Sequence, residues 1–233
     1  MENQEHTTPK PEETQKSKPK TKQTLPTKAP DLLQVAKDAY TVWSSHTELS
    51  LNGATRTSFY ASIIGIEETL NTIADTQGAR RILTQELKTV NTEINKSIPY
   101  VKDYISHLYS KAEAPTYYAQ FGIVKVYKTY RFPTDSDSRS KSLGTMLRGL
   151  ELNGLNDKPY GKEFWTGLKA RFDAALAKSR GADGILSVKT KEKAQHSATI
   201  RKTLNAIILR LKSDYPQSYK SELRRWGFQK DKY

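Results

Sequence analysis

Cysteine is absent from the 233 residues, which removes disulfides, thiolate metal centres and cysteine nucleophiles at once. Long apolar runs are absent too. No stretch approaches the roughly 18 residues that a membrane-crossing helix needs, and the N-terminal MENQEHTTPKPEETQKSKPK holds no apolar core of a secretory signal. These gaps point to a soluble, unsecreted protein of the cytoplasm, or of a virion if a phage encodes it. Chemical motifs are missing as well: there is no Walker A loop, no G-x-G-x-x-G and no G-x-S-x-G, and GADGILSVKTK lacks the spacing that cradles phosphate. The histidines are scattered at His6, His46, His107 and His196, with no H-E-x-x-H and no Glu-x-x-His pair, so neither a metal nor a cofactor is expected. Asp103 with His107 and Glu192 with His196 are i, i+4 pairs, which on a helix are ordinary surface neighbours far more often than acid/base dyads. Asp135 and Asp137 fail as a calcium loop, since the sixth position from Asp135 is Ser140 and the twelfth is Met146. No catalytic residue and no small-molecule substrate emerges, and the chain reads as a non-enzyme.

What is present is helical periodicity and positive charge. Hydrophobic residues make up 36% of the chain, enough to bury a core, while glycine (12) and proline (10) are modest. Residues 1–30 are Lys, Pro, Thr and Gln with a single leucine, too little apolar area to offset the entropy of ordering, so a disordered basic tail is expected there. A helical domain should follow over 31–233, with 133–142 as a boundary at which it could divide into two packed bundles.

Within that domain, Asp31 behind Pro30 is a candidate N-cap, and Leu32, Val35, Ala36, Ala39 and Trp43 share a face of a helix running to about Ser50. Phe59, Ile63, Ile66, Leu70 and Ile73 form a second stripe, which Gly78 could end. Leu83, Leu87, Val90, Ile94, Ile98, Val101, Ile105 and Leu108 form the strongest seam, of the kind that packs against antiparallel neighbours or a second chain. Pro99 within it predicts a kink or a break. The stretch Pro115–Pro133 fits a helix through Tyr117, Phe121, Val124 and Lys128 and a strand through Val124, Val126, Tyr130 and Phe132. Helix is favoured because no second clear strand exists to pair with it. Leu143, Leu147 and Leu150 mark a short helix, and Phe164, Trp165, Leu168, Phe172 and Leu176 another, which the glycines of SRGADG should terminate. A basic helix follows over about 187–214, with Ile200, Leu204, Ile207, Ile208 and Leu211 buried. The fold class is all-α, a multi-helix bundle of about seven helices.

The chain ends in YPQSYKSELRRWGFQKDKY. Pro216 suits a first helical turn, Tyr219, Leu223 and Trp226 share one face, and Gly227 can take the left-handed conformation that lets Phe228 fold back onto Leu223. These five residues are expected to lock the terminus onto the core, leaving Arg224 and Arg225 exposed. The pattern of Phe164 and Trp165, a long helix and the terminal Leu-Arg-Arg-Trp-Gly-Phe-Gln-Lys is similar to that of uncharacterised all-helical proteins of Bacteroidetes bacteria or their phages, over the last 75 or so residues. The resemblance implies a helical fold and a bacterial or phage setting, and it carries over no site residues.

Residues 178–233 hold 14 Lys and Arg against 5 Asp and Glu, most of the net charge of +13. Lys191, Lys202, Arg210, Lys212, Arg224 and Arg225 are therefore candidate polyanion contacts. On a helical wheel, however, the charges of this quarter wrap around the axis, and no helix-turn-helix, zinc-finger or RNP signature is present. Lys125, Lys128 and Arg131 among tyrosines could also grip a single strand, although an aromatic helical face is more often core. The favoured function is a non-enzymatic interaction or structural module of a larger assembly, through self-association or a protein partner. A nucleic-acid binder using the basic C-terminal quarter is the alternative.

Overall fold

The computed structural model describes residues 25–228, most of them in five α-helices: α1 (Ala29–Ser45), α2 (Arg56–Tyr117), α3 (Ser136–Leu152), α4 (Lys162–Asp214) and α5 (Tyr219–Arg225). The all-α class holds, with five helices in place of about seven. No helix among the described residues is long and apolar enough to cross a membrane. The tail expected over 1–30 lies outside these residues as far as position 24. Its last six residues are described, and they are held: Leu25 is buried, Arg201 donates to the carbonyls of Pro26 and Thr27, and α1 already starts at Ala29. Asp31 thus sits in the first turn of α1 and is not its cap.

The smaller count arises because two pairs of expected helices are each continuous and the helix expected over Pro115–Pro133 is replaced by a hairpin. Helix α2 runs 62 residues straight through Gly78, an exposed position where glycine costs about 1 kcal/mol and no more. It also passes Pro99 with helical backbone angles. The lost hydrogen bond at that proline is offset by the burial of Ile94, Ile98, Val101 and Ile105 on either side, and the break falls at Ser110, where φ is 68° and ψ is 156°. Helix α4 runs 53 residues through Gly181 and Gly184, which do not act as caps. Its inward positions keep a three-four spacing across them, from Trp165, Leu168, Phe172 and Ala175 through Ser179, Ala182, Leu186, Lys189, Lys193 and His196 to Ile200, Leu204, Ile207 and Leu211. Small and polar residues hold the middle of that series.

The helix expected over Pro115–Pro133 is not formed. Pro115 belongs to the last turn of α2, a 3-10 turn covers Tyr118–Phe121, and β1 (Val124–Val126) pairs antiparallel with β2 (Thr129–Arg131) in the register Val124 to Arg131, Lys125 to Tyr130 and Val126 to Thr129. The partner strand was only three residues away, short enough to be hidden in the same stretch. Strand alternation won because the hairpin needs just two connecting residues, Tyr127 and Lys128.

The chain divides into two units, one built from residues up to Arg56 and from Arg201 onward, the other Thr57–Ile200. The segment 133–142 lies inside the second. In the first unit, Leu32, Val35, Ala36, Ala39 and Trp43 of α1 are buried, as are Leu204, Ile207, Ile208 and Leu211 of α4. Trp43 donates through Nε1 to the carbonyl of Leu49 at 2.9 Å, and the guanidinium of Arg56 donates to the carbonyls of His46 and Thr47. The first of these bonds satisfies a buried indole N–H, and the Arg56 bonds tie the α1–α2 connection to the start of α2.

In the second unit α2 and α4 run antiparallel. Cross-contacts fix the direction: His196 packs on the backbone of Gly65, where an added Cβ would lie 2.5 Å from the imidazole, Arg80 meets Asp183 at 2.6 Å, and Arg171 meets Glu93 at 2.9 Å. As the residue number rises on one helix it falls on the other. The core of this unit joins Val90, Ile94, Ile98, Val101 and Ile105 of α2 with Phe121, Ile123 and Phe132, with Leu143, Met146 and Leu150 of α3, and with Trp165, Leu168 and Phe172 of α4.

Candidate interaction sites

The seam from Leu83 to Leu108 is mostly spent inside the second unit. Val90 through Ile105 are its core, and only the ends remain outward, Leu83 half-buried and Leu108 exposed. An interface along its whole length is therefore closed. Beyond its Leu83 end, where α2 and α4 pair without α3 against them in the core cluster, the apolar residues reach the surface instead. Ile82 is 72% exposed, Val188 57% and Ile185 48%. Ala79, Gly181 and Ala182 line a groove of about 610 Å³ together with Ile82, Leu83 and Ile185 and with Asp75, Thr76 and Lys178. A second hollow of about 600 Å³ lies on the other side of Ile82, between Arg81, Gln85, Glu86 and Thr89. Ile82, Ile185 and Val188 were missed by periodicity because each flanks the inward stripe of its helix by one or two positions, where a large aliphatic looks like a spare core residue.

The C-terminal residues are placed as follows. Leu223, Trp226 and Phe228 are buried, and Tyr219 is half-buried. Gly227 has φ 83°, its N–H donates to the carbonyl of Arg224 at 3.1 Å, and the N–H of Phe228 donates to that of Leu223 at 3.0 Å, so the last carbonyls of α5 are satisfied by a left-handed cap. The ring of His46 stacks on Trp226 at 5.8 Å. Pro216 lies in the turn before α5, whose N-cap is Ser218, and not in its first turn.

Of the six candidate polyanion contacts, Lys191 belongs to the second unit and the other five to the first. Arg210 pairs with Asp214 at 2.7 Å, Arg225 approaches Glu222 at 3.8 Å, and Lys212 lies over the ring of Tyr219 at 5.7 Å. Lys191, Lys202 and Arg224 are exposed. Arg201, one of the cations counted in this quarter, is taken up in holding Pro26 and Thr27.

Around the hairpin the balance of charge is different. Lys102 donates to the carbonyl of Tyr130 at 2.7 Å and lies over the ring of Tyr118, partial burial pushing its ammonium pKa down. Lys125 lies over the ring of Tyr130 at 5.9 Å. Asp135 is committed to the N-cap of α3, accepting from the Ser138 amide at 2.8 Å, and that bond holds its carboxyl below the usual range. Asp137 pairs with Arg180 at 2.5 Å. Arg139 is buried with neutral acceptors only: its guanidinium donates to the carbonyl of Pro133 and to the side-chain oxygens of Asn91 and Asn95, and burial pulls its pKa down.

Of the i, i+4 pairs, Glu192 binds Lys189 at 2.6 Å and His196 packs on Gly65, so these two do not form a dyad. Among the described residues no group of three or more His, Asp or Glu is placed to hold a metal. No protein family matches the sequence, and neither a curated protein nor a solved structure is similar to it.

Proposed function

We propose that this chain is a non-enzymatic helical interaction module of a bacterial or phage assembly, and that its α2/α4 stalk pairs with a second copy of itself. The observation that carries this reading is the concentration of Ile82, Ile185 and Val188 at the surface of one short stretch of the helix pair. Two antiparallel helices leave an open groove on each side, and a second pair filling it completes a four-helix arrangement. The groove suits a like partner because its lining combines small residues with large aliphatics, so the aliphatics of one copy can pack over the small residues of the other. Its charges favour the same occupant. Asp75 stands at one end of the groove on α2 and Lys178 at the other end on α4. A two-fold axis near Ile82 would bring Asp75 of each copy toward Lys178 of the other. The bacterial or phage setting rests on the C-terminal signature alone.

The stretch is short, and this sets the expected strength. Residues 75–89 span about 22 Å at 1.5 Å per residue, and two helices abreast are about 20 Å wide, so each copy would cover on the order of 450 Å². That is at the weak end of specific interfaces, so the dimer should be reversible and concentration-dependent. Sedimentation velocity over a range of concentrations tests it. Wild type should shift from monomer to dimer, and the pair Ile82→Lys and Ile185→Lys should stay monomeric with unchanged helicity. A wild type that remains monomeric at every concentration, or a double variant that still dimerises, overturns the proposal.

A further inference from the structure

We infer that the β1–β2 hairpin is a binding site for single-stranded nucleic acid, with Tyr127 as the platform for a base and Lys125, Lys128 and Arg131 as the contacts to phosphates. This inference is independent of the pairing of the stalk. Between Tyr118 and Thr134 the chain has three cations, three tyrosines and no acidic residue. The acids that follow are occupied, Asp135 by the Ser138 amide and Asp137 by Arg180. Neither Lys128 nor Arg131 makes an ion pair among the described residues, and Lys125 has only the Tyr130 ring. A polyanion meeting this hairpin would displace no carboxylate.

Tyr127 supplies the second observation. It is 92% exposed at the tip of the hairpin, and its φ of 54° lies in the left-handed region. A two-residue hairpin turn is made most cheaply by glycine or asparagine at such a position, and a bulky aromatic there carries strain. The residue therefore works against the fold at this point, while its ring stands in solvent and Lys125 and Lys128 lie near it along the chain. Base stacking on an aromatic ring combined with cations along the backbone is the means by which single strands are held without sequence preference. A duplex hides the faces of its bases, and a ring at the tip gains nothing from it.

Fluorescence anisotropy of a labelled oligothymidylate, at low salt and with the full chain, tests the assignment. Wild type should bind, and the logarithm of its affinity should fall with the logarithm of salt at a slope of about 2, from roughly 0.7 for each of three phosphates. Tyr127→Gly should weaken binding about tenfold or more while the thermal midpoint holds or rises, since glycine accepts the positive φ. The triple change Lys125→Glu, Lys128→Glu and Arg131→Glu should abolish binding, and the pair Lys191→Glu and Lys202→Glu should leave it nearly intact. Absence of binding at low salt, a Tyr127→Gly protein that binds as wild type does, loss of binding in the Lys191 and Lys202 pair, or competition by a duplex as effective as by the single strand overturns the assignment.

Discussion

Replacing Gly227 by alanine tests the cap of α5 at its most constrained point. Two separate costs follow from the geometry. An L-residue at φ 83° pays about 1–2 kcal/mol for the left-handed conformation. The new Cβ would also lie 2.5 Å from Cβ of Asp38 and 3.1 Å from its Oδ2, a crowding that typically costs about 1–3 kcal/mol as the neighbours shift. Together the change should destabilise the first unit by about 2–5 kcal/mol. The two parts can be separated, because one depends on Asp38 and the other does not. In an Asp38→Gly background the crowding disappears and only the backbone cost remains. Asp38→Ala keeps the offending Cβ and should give no relief, although it removes the same hydrogen bond from Gln34. Urea melts followed by tryptophan fluorescence in a Trp165→Phe background report on this unit, since Trp43 and Trp226 are its own indoles and both are 1% exposed. The double-mutant cycle should return a coupling of about 1 kcal/mol or more between positions 227 and 38. A Gly227→Ala protein within half a kcal/mol of wild type, or a cost that Asp38→Gly leaves unchanged, refutes the reasoning.

Two further outcomes are expected. Trp226→Ala should cost about 3–5 kcal/mol, as large-to-small changes at buried aromatics do, while exposed Arg225→Ala should stay within about half a kcal/mol in the same denaturant melts. Asp135→Ala should lower the melting midpoint at neutral pH by removing the cap acceptor of α3. Because the carboxyl is held below its usual pKa, the difference from wild type should be present above the ordinary carboxylate range and fade as pH falls through the lowered value, whereas Asp135→Asn should keep the cap and differ little at neutral pH.

The helical class was legible because apolar spacing reports which face is buried, and the faces of α1, of α2 from Val90 to Ile105 and of the last quarter of α4 follow it residue by residue. The ends of helices were less legible. Gly78, Gly181 and Gly184 read as terminators, yet each cost is about 1 kcal/mol against the packing of several turns on either side. The middle of α4 hid its continuity because Ser179, Lys189, Lys193 and His196 occupy inward positions, and a wheel drawn from aliphatics alone shows a gap there. The hairpin was hidden for the opposite reason, since six ladder residues are too few to outvote a helical alternative. The glycine cap at Gly227 is a local arrangement of consecutive residues, the kind of information a single sequence carries best. The hollow around Ile82 depends on which residues of a distant segment lie opposite, and no spacing within α2 can report that.

The basic character of the chain also divides once each cation is followed to its partner. In the C-terminal quarter, where the excess of charge is largest by count, part of it is internal: Arg201 clamps the segment before α1, Arg210 answers Asp214, and Lys212 covers Tyr219. Charge engaged in this way is screened and fixed, and it contributes little to the capture of a partner. The hairpin holds fewer cations, yet they lack carboxylate partners among the described residues, and Tyr127 stands exposed at its tip. Net charge measures how many cations a segment has, whereas capture of a single strand depends also on an exposed ring for its bases to stack on, which the hairpin supplies at Tyr127.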